Sequence, residues 1–229
     1  MASLNLSTGA DHDNNKPLRR IAEAFKSLSN SIKKDDNTNT TNSISQTLEI
    51  ENSVLELAPF SNACSLVSPL FRCLGIAFRF AEMDYVAKVD DLVEASKSIS
   101  TLQAMMDDDI RSDFVRKGGS HTRNLLRVKR GLDMVRVLFE QIIVTEGNSL
   151  KSPASTAYAQ VFAPHHNWAI RKAVAAGMYA LPTKAQLLTK LNEDEASART
   201  QMQIYIGASA AVILYIDKLF HSKDLGIDW

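Results

Sequence analysis

The sequence contains few residues of the kinds that interrupt or cross-link a chain. Its 229 residues include nine glycines, six prolines and two cysteines. Cys64 and Cys73 are too few for a disulfide framework, and a largely helical stretch between them would hold their α-carbons too far apart to bridge. We therefore expect free thiols in a reducing compartment, by default the cytosol.

Other absences exclude further classes of protein. The formal net charge is zero, so the chain as a whole does not attract nucleic acid, and any anion must be bound by a local cluster. The longest largely apolar run, 204–216, is shorter than the roughly 20 residues of a bilayer span and predicts a buried helix. The start of the chain lacks the pattern of a secretory signal. With no glycine-rich phosphate loop and no metal-spaced Cys or His cluster, we expect no metal and no cofactor.

The patterns that are present are helical. No stretch alternates with period two, whereas several repeat apolar residues at three-then-four spacing. We predict an all-α protein of seven or eight layered helices that forms one domain over 16–229. The first helix begins at Pro17, with a core face that comprises Leu18, Ile21, Phe25, Leu28 and Ile32. Residues 1–15 are polar and predict a disordered tail, and the Asn/Thr/Ser-rich segment at about 35–52 predicts a mobile loop.

The segment 120–143 predicts one long helix that organises the rest of the chain. Ser120 or Thr122 is placed to cap its start. The core positions are Val128, Leu132, Val135, Phe139 and Ile142. A solvent face of alternating charge is predicted for Lys129, Asp133, Arg136 and Glu140.

Two arginines of this helix belong neither to the predicted core positions nor to the predicted solvent face. Arg123 and Arg127 lie one turn apart, in line with Met134 and Leu138 further along. Guanidinium groups above an apolar strip need an anion, and their forked donors suit a carboxylate or a phosphate. Two interpretations follow: a bound anionic ligand, or a helix-end salt bridge to a carboxylate of the protein.

A helix predicted over 70–92 also has charged residues in line with apolar residues on one face. These residues are Cys73, Ala77, Phe80, Asp84 and Lys88. The next helix, over 92–116, is predicted to bury Ile110 and to expose Asp107, Asp108 and Asp109. A turn that contains His166 leads into a later helix that Pro182 ends.

These elements predict a common site at the mouth of an apolar space. Its members are Asp84, Lys88, Arg123, Arg127 and His166. Three cations against one acid favour an amphiphile with an anionic head group, and the alternative is an interhelical ion network. An enzyme that uses Asp84 and His166 as an acid–base pair is disfavoured, because a pair inferred between remote positions has little specificity.

Four motifs resemble the glycolipid transfer protein superfamily. They are FAEMDYVAKVDDL (80–92), GSHTRNLLRVKRGLDM (119–134), YAQVFAPHH (158–166) and LGIDW (225–229). The similarity runs from about Lys16 to Trp229, with a longer Asn/Thr-rich insert at 35–57. The resemblance implies a two-layer helical sandwich whose apolar interior receives sphingolipid chains, and a carrier rather than an enzyme.

The resemblance also implies a role for each site residue. Asp84 would bind the ceramide amide or hydroxyl, and His166 the acyl carbonyl. The phosphate of ceramide-1-phosphate, or of a related phosphorylated sphingolipid, would be held by Lys88, Arg123 and Arg127. The sugar-binding branch has an asparagine in place of Lys88 and a tryptophan in place of Arg123, so the resemblance favours a phosphate head group.

Membrane contact is predicted for Trp168, Lys172 and Tyr179, a mixture of aromatic and basic side chains that suits an interface. The alternative for Trp168 is an ordinary core aromatic. A carrier of this kind is expected in the cytosol and transiently at membrane surfaces. The alternative function is a lipid-sensing protein that regulates cell death through a protein partner, with little bulk transport.

Overall fold

The structure is a computed structural model that describes residues 16–37 and 54–229. Within these ranges the chain is helical and forms no strand. The helices are α1 (Pro17–Asn37), α2 (Leu57–Ser65), α3 (Ser68–Cys73), α4 (Arg79–Ala95), α5 (Leu102–Arg111), α6 (His121–Val144), α7 (Lys151–Val161), α8 (Trp168–Gly177), α9 (Lys184–Lys190) and α10 (Glu195–Ser222). Single 3-10 turns lie at Ile76–Phe78, Ala163–His165 and Met178–Ala180. The all-α prediction is confirmed, and short helices such as α3 and α9 raise the number above the seven or eight expected.

Helix α1 begins at Pro17, as predicted, and buries Leu18, Ile21 and Phe25 completely. Its spacing of apolar residues places them on one stripe that faces the core. The helix continues to Asn37, so the first residues of the predicted loop are helical. The predicted tail, 1–15, and the remainder of that loop, 38–52, lie outside the described residues.

Helix α6 is the centre of the fold, because it packs against α4, α5, α7 and α10. The Ser120 hydroxyl accepts from the Arg123 backbone N–H at 3.0 Å and caps the helix, as predicted. Every predicted core position is buried. The predicted solvent face is wrong at Lys129, which is 7% exposed because α10 covers it and the Asp217 carboxylate pairs with it at 2.5 Å.

Helix α10 packs against both α1 and α6, and α4 packs against both α2 and α6. Tyr205 of α10 joins these elements at the core. Its ring makes edge contacts with Phe25 and Phe139, and its hydroxyl donates to the Leu132 carbonyl at 3.1 Å. By length and composition α10 is apolar enough to cross a membrane, but half of its most apolar window is buried inside the fold. It is a core helix here, as predicted.

The predicted continuous helix over 70–92 is wrong. Helix α3 ends at Cys73, and Gly75 adopts a φ of 97°, a left-handed conformation that glycine tolerates. A 3-10 turn then leads into α4. The break removes Cys73 from the line of Asp84 and leaves Phe80 at the exposed start of α4, 84% exposed.

The predicted helix over 92–116 is also divided, because α4 ends at Ala95 and α5 begins at Leu102. Asp109 is buried rather than solvated, and Ile110 is exposed. The Asp109 carboxylate accepts from the Ser120 hydroxyl at 2.8 Å and from the Thr122 backbone N–H at 2.7 Å. A carboxylate at a helix N-terminus is stabilised there, so Asp109 fixes the start of α6 to the end of α5.

Candidate functional site

Helix α4 presents Asp84 and Lys88, one turn apart. The Lys88 ammonium contacts the Asp84 carboxylate and also donates to the Asp84 backbone carbonyl at 3.1 Å. The two side chains differ in burial, since Lys88 is 11% exposed and Asp84 is 69% exposed. The cation therefore lies inside the site, and its acidic neighbour faces water.

Helix α6 presents Arg123 and Arg127 from the other side, both half-buried. Within 16–37 and 54–229, no carboxylate lies within 4.0 Å of either guanidinium. Burial and the charge of Arg123 lower the pKa of Arg127, while Asp84 opposes that shift. The helix-end salt bridge considered from the sequence is therefore not formed by any described carboxylate.

His166 follows the turn at Ala163–His165 and is held by two aromatic side chains. Its ring stacks on Phe162 with centroids 5.6 Å apart, and its Nδ1 lies 2.9 Å from the Tyr158 hydroxyl. Burial lowers the pKa of His166, with Asp84 opposing and Arg130 assisting. Burial raises the pKa of Tyr158, so the phenol keeps its proton at neutral pH.

The tautomer of His166 decides which partner donates in this contact, since a phenol hydroxyl both donates and accepts. When the Tyr158 hydroxyl donates to Nδ1, the neutral imidazole carries its proton on Nε2, which is then free to donate. The sequence reasoning missed Tyr158, although it opens the motif that ends at His166. Its spacing gives no sign that the two rings meet.

The five predicted residues come together in the structure. Asp84 influences the pKa of both Arg127 and His166, and it pairs directly with Lys88. The charges of α4, α6 and the turn before α8 therefore share one region. Next to these residues along the same two helices are buried apolar side chains, which include Val89, Leu92, Leu125 and Val128.

The predicted membrane residues lie on α8 and the turn after it. Trp168 is 69% exposed and Tyr179 is 76% exposed, so Trp168 is not a core aromatic. The Lys172 ammonium lies 5.9 Å from the centroid of the Trp168 ring. Lys151, which the sequence reasoning missed, lies 3.5 Å from the centroid of the Tyr179 ring. Trp168 and Tyr179 thus each have a lysine ammonium over the ring face.

A second set of exposed apolar side chains adjoins this surface. Ile76 lies in the turn before α4, Phe80 and Met83 lie in the first turns of α4, and all three are more than half exposed. The turn at Ile76–Phe78 packs against the turn at Met178–Ala180, which places the two sets side by side. No sequence pattern indicates this exposure, since Phe80 falls on a stripe that helical spacing assigns to the core.

Comparison with known proteins identifies relatives along the whole described domain. The family model for the glycolipid transfer protein (GLTP) matches residues 55–193. "Accelerated cell death 11" of Arabidopsis thaliana is 63% identical over 221 residues, which cover 96% of this chain and 100% of the relative. The "ACD11 homolog protein" of the same plant is 47% identical over 94% of this chain and 90% of its own length.

Solved structures agree with these matches. A crystal structure of an aspartate-to-asparagine variant of Arabidopsis ACD11, complexed with C12 ceramide-1-phosphate, aligns with a TM-score of 0.84. That alignment has 65% identity and covers 93% of this chain and 98% of the other. Human ceramide-1-phosphate transfer protein with 12:0 ceramide-1-phosphate aligns over 90% and 96% of the two chains with a TM-score of 0.72 and 20% identity, a likeness of fold. The chain therefore belongs to the glycolipid transfer protein family.

Proposed function

We propose that this protein is a non-enzymatic carrier that moves ceramide-1-phosphate between membranes through the cytosol. The observation that carries the proposal is the pair Arg123 and Arg127, which stand above buried apolar side chains with no described carboxylate in reach. Half-buried guanidinium groups without a partner are disfavoured, and a phosphate monoester removes that penalty. The 63% identical relative, solved with this lipid in variant form, supports the same ligand.

The head group is bound by an exchange of partners. The two arginines grip the phosphate from α6, and Lys88 leaves the Asp84 carboxylate to add its charge from α4. Asp84 is then free to accept from the amide and hydroxyl of the ceramide. The Nε2–H of His166 donates to the acyl carbonyl, with Tyr158 holding the ring in place.

The lipid tails are buried in the apolar interior between the helices. At about 0.8 kcal/mol per CH₂, exposing one chain of roughly 16 carbons to water would cost on the order of 13 kcal/mol. A carrier must therefore exclude water from the tails for the whole passage. The fold is suited to this because α1, α6 and α10 bury apolar faces along their lengths.

Membrane contact is made by the surface that surrounds the site. Trp168 and Tyr179 provide aromatic side chains, and Lys172 and Lys151 provide positive charge beside them. The exposed apolar side chains of Ile76, Phe80 and Met83 extend this surface across the start of α4. Such a mixture adsorbs to a bilayer without spanning it.

The proposed site discriminates against neutral glycolipids. A sugar gives the arginines and Lys88 no charge to pair with, and no tryptophan stands at position 123 to stack it. Specificity then results from leaving cations unpaired when the wrong head group enters.

The alternative is a lipid-sensing protein that regulates cell death through a protein partner. It uses the same lipid site, and the name of the 63% identical relative is what favours it. Transfer between labelled vesicles, measured beside lipid-dependent partner binding, separates it from a carrier.

Asp84→Val tests the proposed site directly. We expect the variant to lose transfer of ceramide-1-phosphate between vesicles, because the amide and hydroxyl lose their acceptor, while circular dichroism shows unchanged helical content. Asp90→Val, at an exposed position of the same helix, is the matched control and should transfer normally. A large drop in melting temperature, with normal transfer by the folded fraction, would show that Asp84 is structural instead.

A further inference from the structure

Two contacts between α4 and α6 lie on either side of Lys88 and Arg127, two of the proposed head-group cations. In the first, the Asp91 carboxylate accepts from the Asn124 side-chain amide at 2.8 Å and lies 2.8 Å from Nδ1 of His121. In the second, the Tyr85 ring lies against Gly131, where an added β-carbon would stand 2.7 Å from the ring. Both contacts belong to motifs whose other members form the proposed site.

The spacing along the helices places Lys88 and Arg127 between these contacts. Lys88 lies about one turn from Tyr85 and one turn from Asp91 along α4. Arg127 lies about one turn from Asn124 and one turn from Gly131 along α6. Because contact residues run in opposite order along the two helices, α4 and α6 are antiparallel. One polar and one close-packed contact therefore fix how far one helix slides along the other.

The close-packed contact is rigid. The Tyr85 hydroxyl donates to the Cys64 carbonyl at 3.1 Å, and its ring packs on Phe71 with centroids 5.1 Å apart. The ring is buried and has no room to withdraw from a larger side chain at position 131. Gly131 is thus required for the observed separation of α4 and α6.

The polar contact is different in kind, because its members remain partly open to water. The side chains of Asp91 and His121 are 27% and 34% exposed. Losing this contact should therefore cost less stability than a buried pair would. Its geometry is nevertheless specific, since one carboxylate oxygen holds two side chains of the first turn of α6, on either side of Arg123.

We propose that Asp91 and Gly131 are positioning residues, which set the register of α4 against α6 and so the distance between Lys88 and the two arginines. This inference rests on the proposed function, because it assigns these contacts to the phosphate site. Asp91 acts through the cations and does not touch the lipid. A phosphate held from two helices needs both sets of donors at the correct spacing, and a slip of either helix weakens the grip.

The test compares Asp91→Ala with Asp90→Ala, a matched control at the exposed neighbouring position. Affinity is measured for ceramide-1-phosphate and for ceramide of the same acyl chain, in wild type and in the Arg127→Leu background. For Asp91→Ala we expect about a tenfold loss for the phosphorylated lipid and little change for ceramide. In the Arg127→Leu background the further loss should be less than about twofold, because the two residues act through one site.

A purely structural role predicts equal losses for both lipids, and losses that multiply in the double variant; either result overturns the inference. If wild type itself binds the two lipids equally, the proposed function fails, which this design distinguishes from a failure of Asp91 alone. Should Asp91→Ala unfold, Asn124→Ala removes one of the two members of the same contact from α6 and must also give a loss selective for the phosphorylated lipid. Gly131→Ala tests the other contact and should reduce the preference for the phosphorylated lipid as well.

Discussion

Helix α6 carries several cations, and those at its start differ from those in its middle in whether a carboxylate pairs with them. At the start, Arg123 and Arg127 have no carboxylate within 4.0 Å among the described residues. Further along, Lys129 pairs with Asp217 at 2.5 Å, and Arg136 pairs with carboxylates of its own helix. The fold thus provides anionic partners for the cations that it uses structurally.

Arg130, which directly follows Lys129, has hydrogen-bond acceptors of a third kind. Its guanidinium donates to the backbone carbonyls of Ile227 at 2.6 Å and Trp229 at 2.8 Å. A cation that already has protein acceptors gains little from a ligand. The lack of a carboxylate partner among the described residues, rather than charge alone, therefore distinguishes Arg123 and Arg127 as the proposed binding pair.

The largest effect is expected from Arg127→Leu, which removes one member of the unpaired group. Transfer of ceramide-1-phosphate should fall by about 100-fold, because a partly desolvated phosphate loses a charged donor. Thermal stability should change little, since no described carboxylate is left unpaired. Arg127→Lys should rescue only part of the loss, because the forked pair of donors is replaced by a point charge.

Vesicle transfer and a melting curve on the same preparation check this prediction. Neutral glycosylceramides should gain no transfer in the variant, as no aromatic platform is created. Proportional losses for all lipids, with a lower melting temperature, would place Arg127 among the structural cations instead.

For the paired cation Lys129 we expect a substitution to lower stability and to leave the lipid preference unchanged, the reverse of Arg127→Leu. Lys129→Met should destabilise the fold by about 2 kcal/mol, because the Asp217 carboxylate would stay partly buried without its partner. Denaturant unfolding measures the loss, and Lys129→Met with Asp217→Leu should recover part of it. The preference for phosphorylated over neutral lipid should persist in the folded protein. A selective loss of that preference would contradict the division between the two groups.

A smaller effect is expected at the membrane surface. Trp168→Ala should weaken adsorption to vesicles by about tenfold, more on anionic lipid, without changing which head group is preferred. Trp229→Phe is the matched control, because the Trp229 indole already donates to the Leu225 carbonyl and packs on Phe220. Light scattering or sedimentation with vesicles gives the measurement. Equal adsorption of Trp168→Ala and wild type would exclude this docking role.

The smallest effect is a dependence of stability on pH. Burial lowers the pKa of His166 below its ordinary 6.5, so in mildly acidic solution the unfolded chain takes up a proton that the folded protein resists. The free energy of unfolding should therefore decline as the pH falls below about 6.5. Urea unfolding at about pH 7.5 and about pH 5.5 should show a smaller difference for His166→Gln than for wild type. Identical differences would show that His166 does not contribute.

Helical periodicity correctly predicted which residues of a helix are buried where that helix has a single buried face. The apolar stripe of α1 and the core positions of α6 were read correctly, since each needs only a buried side. Lys129 was misplaced because the sequence does not show how many neighbours a helix has. Asp109 was misplaced for a similar reason: its partners are the start of another helix, which spacing within α5 does not reveal.

The candidate site was predicted from unbalanced charge, supported by the family resemblance. Arg123 and Arg127 were identified because they stand in line with apolar residues, and Asp84 and Lys88 because they continue an apolar stripe. Tyr158 and Lys151 were missed, since each acts through a contact between separate elements. The break at Gly75 was missed as well, because the surrounding residues keep helical spacing across it.

We propose that the unpaired cations of α6 select a phosphate head group. The most direct measurement is native mass spectrometry of the protein after incubation with an equimolar mixture of ceramide-1-phosphate, ceramide and glucosylceramide of one acyl chain. Wild type should retain the phosphorylated lipid almost exclusively, and Arg127→Leu should lose that preference while remaining folded. Equal occupancy by the three lipids in wild type, or an unchanged preference in Arg127→Leu, would contradict the claim.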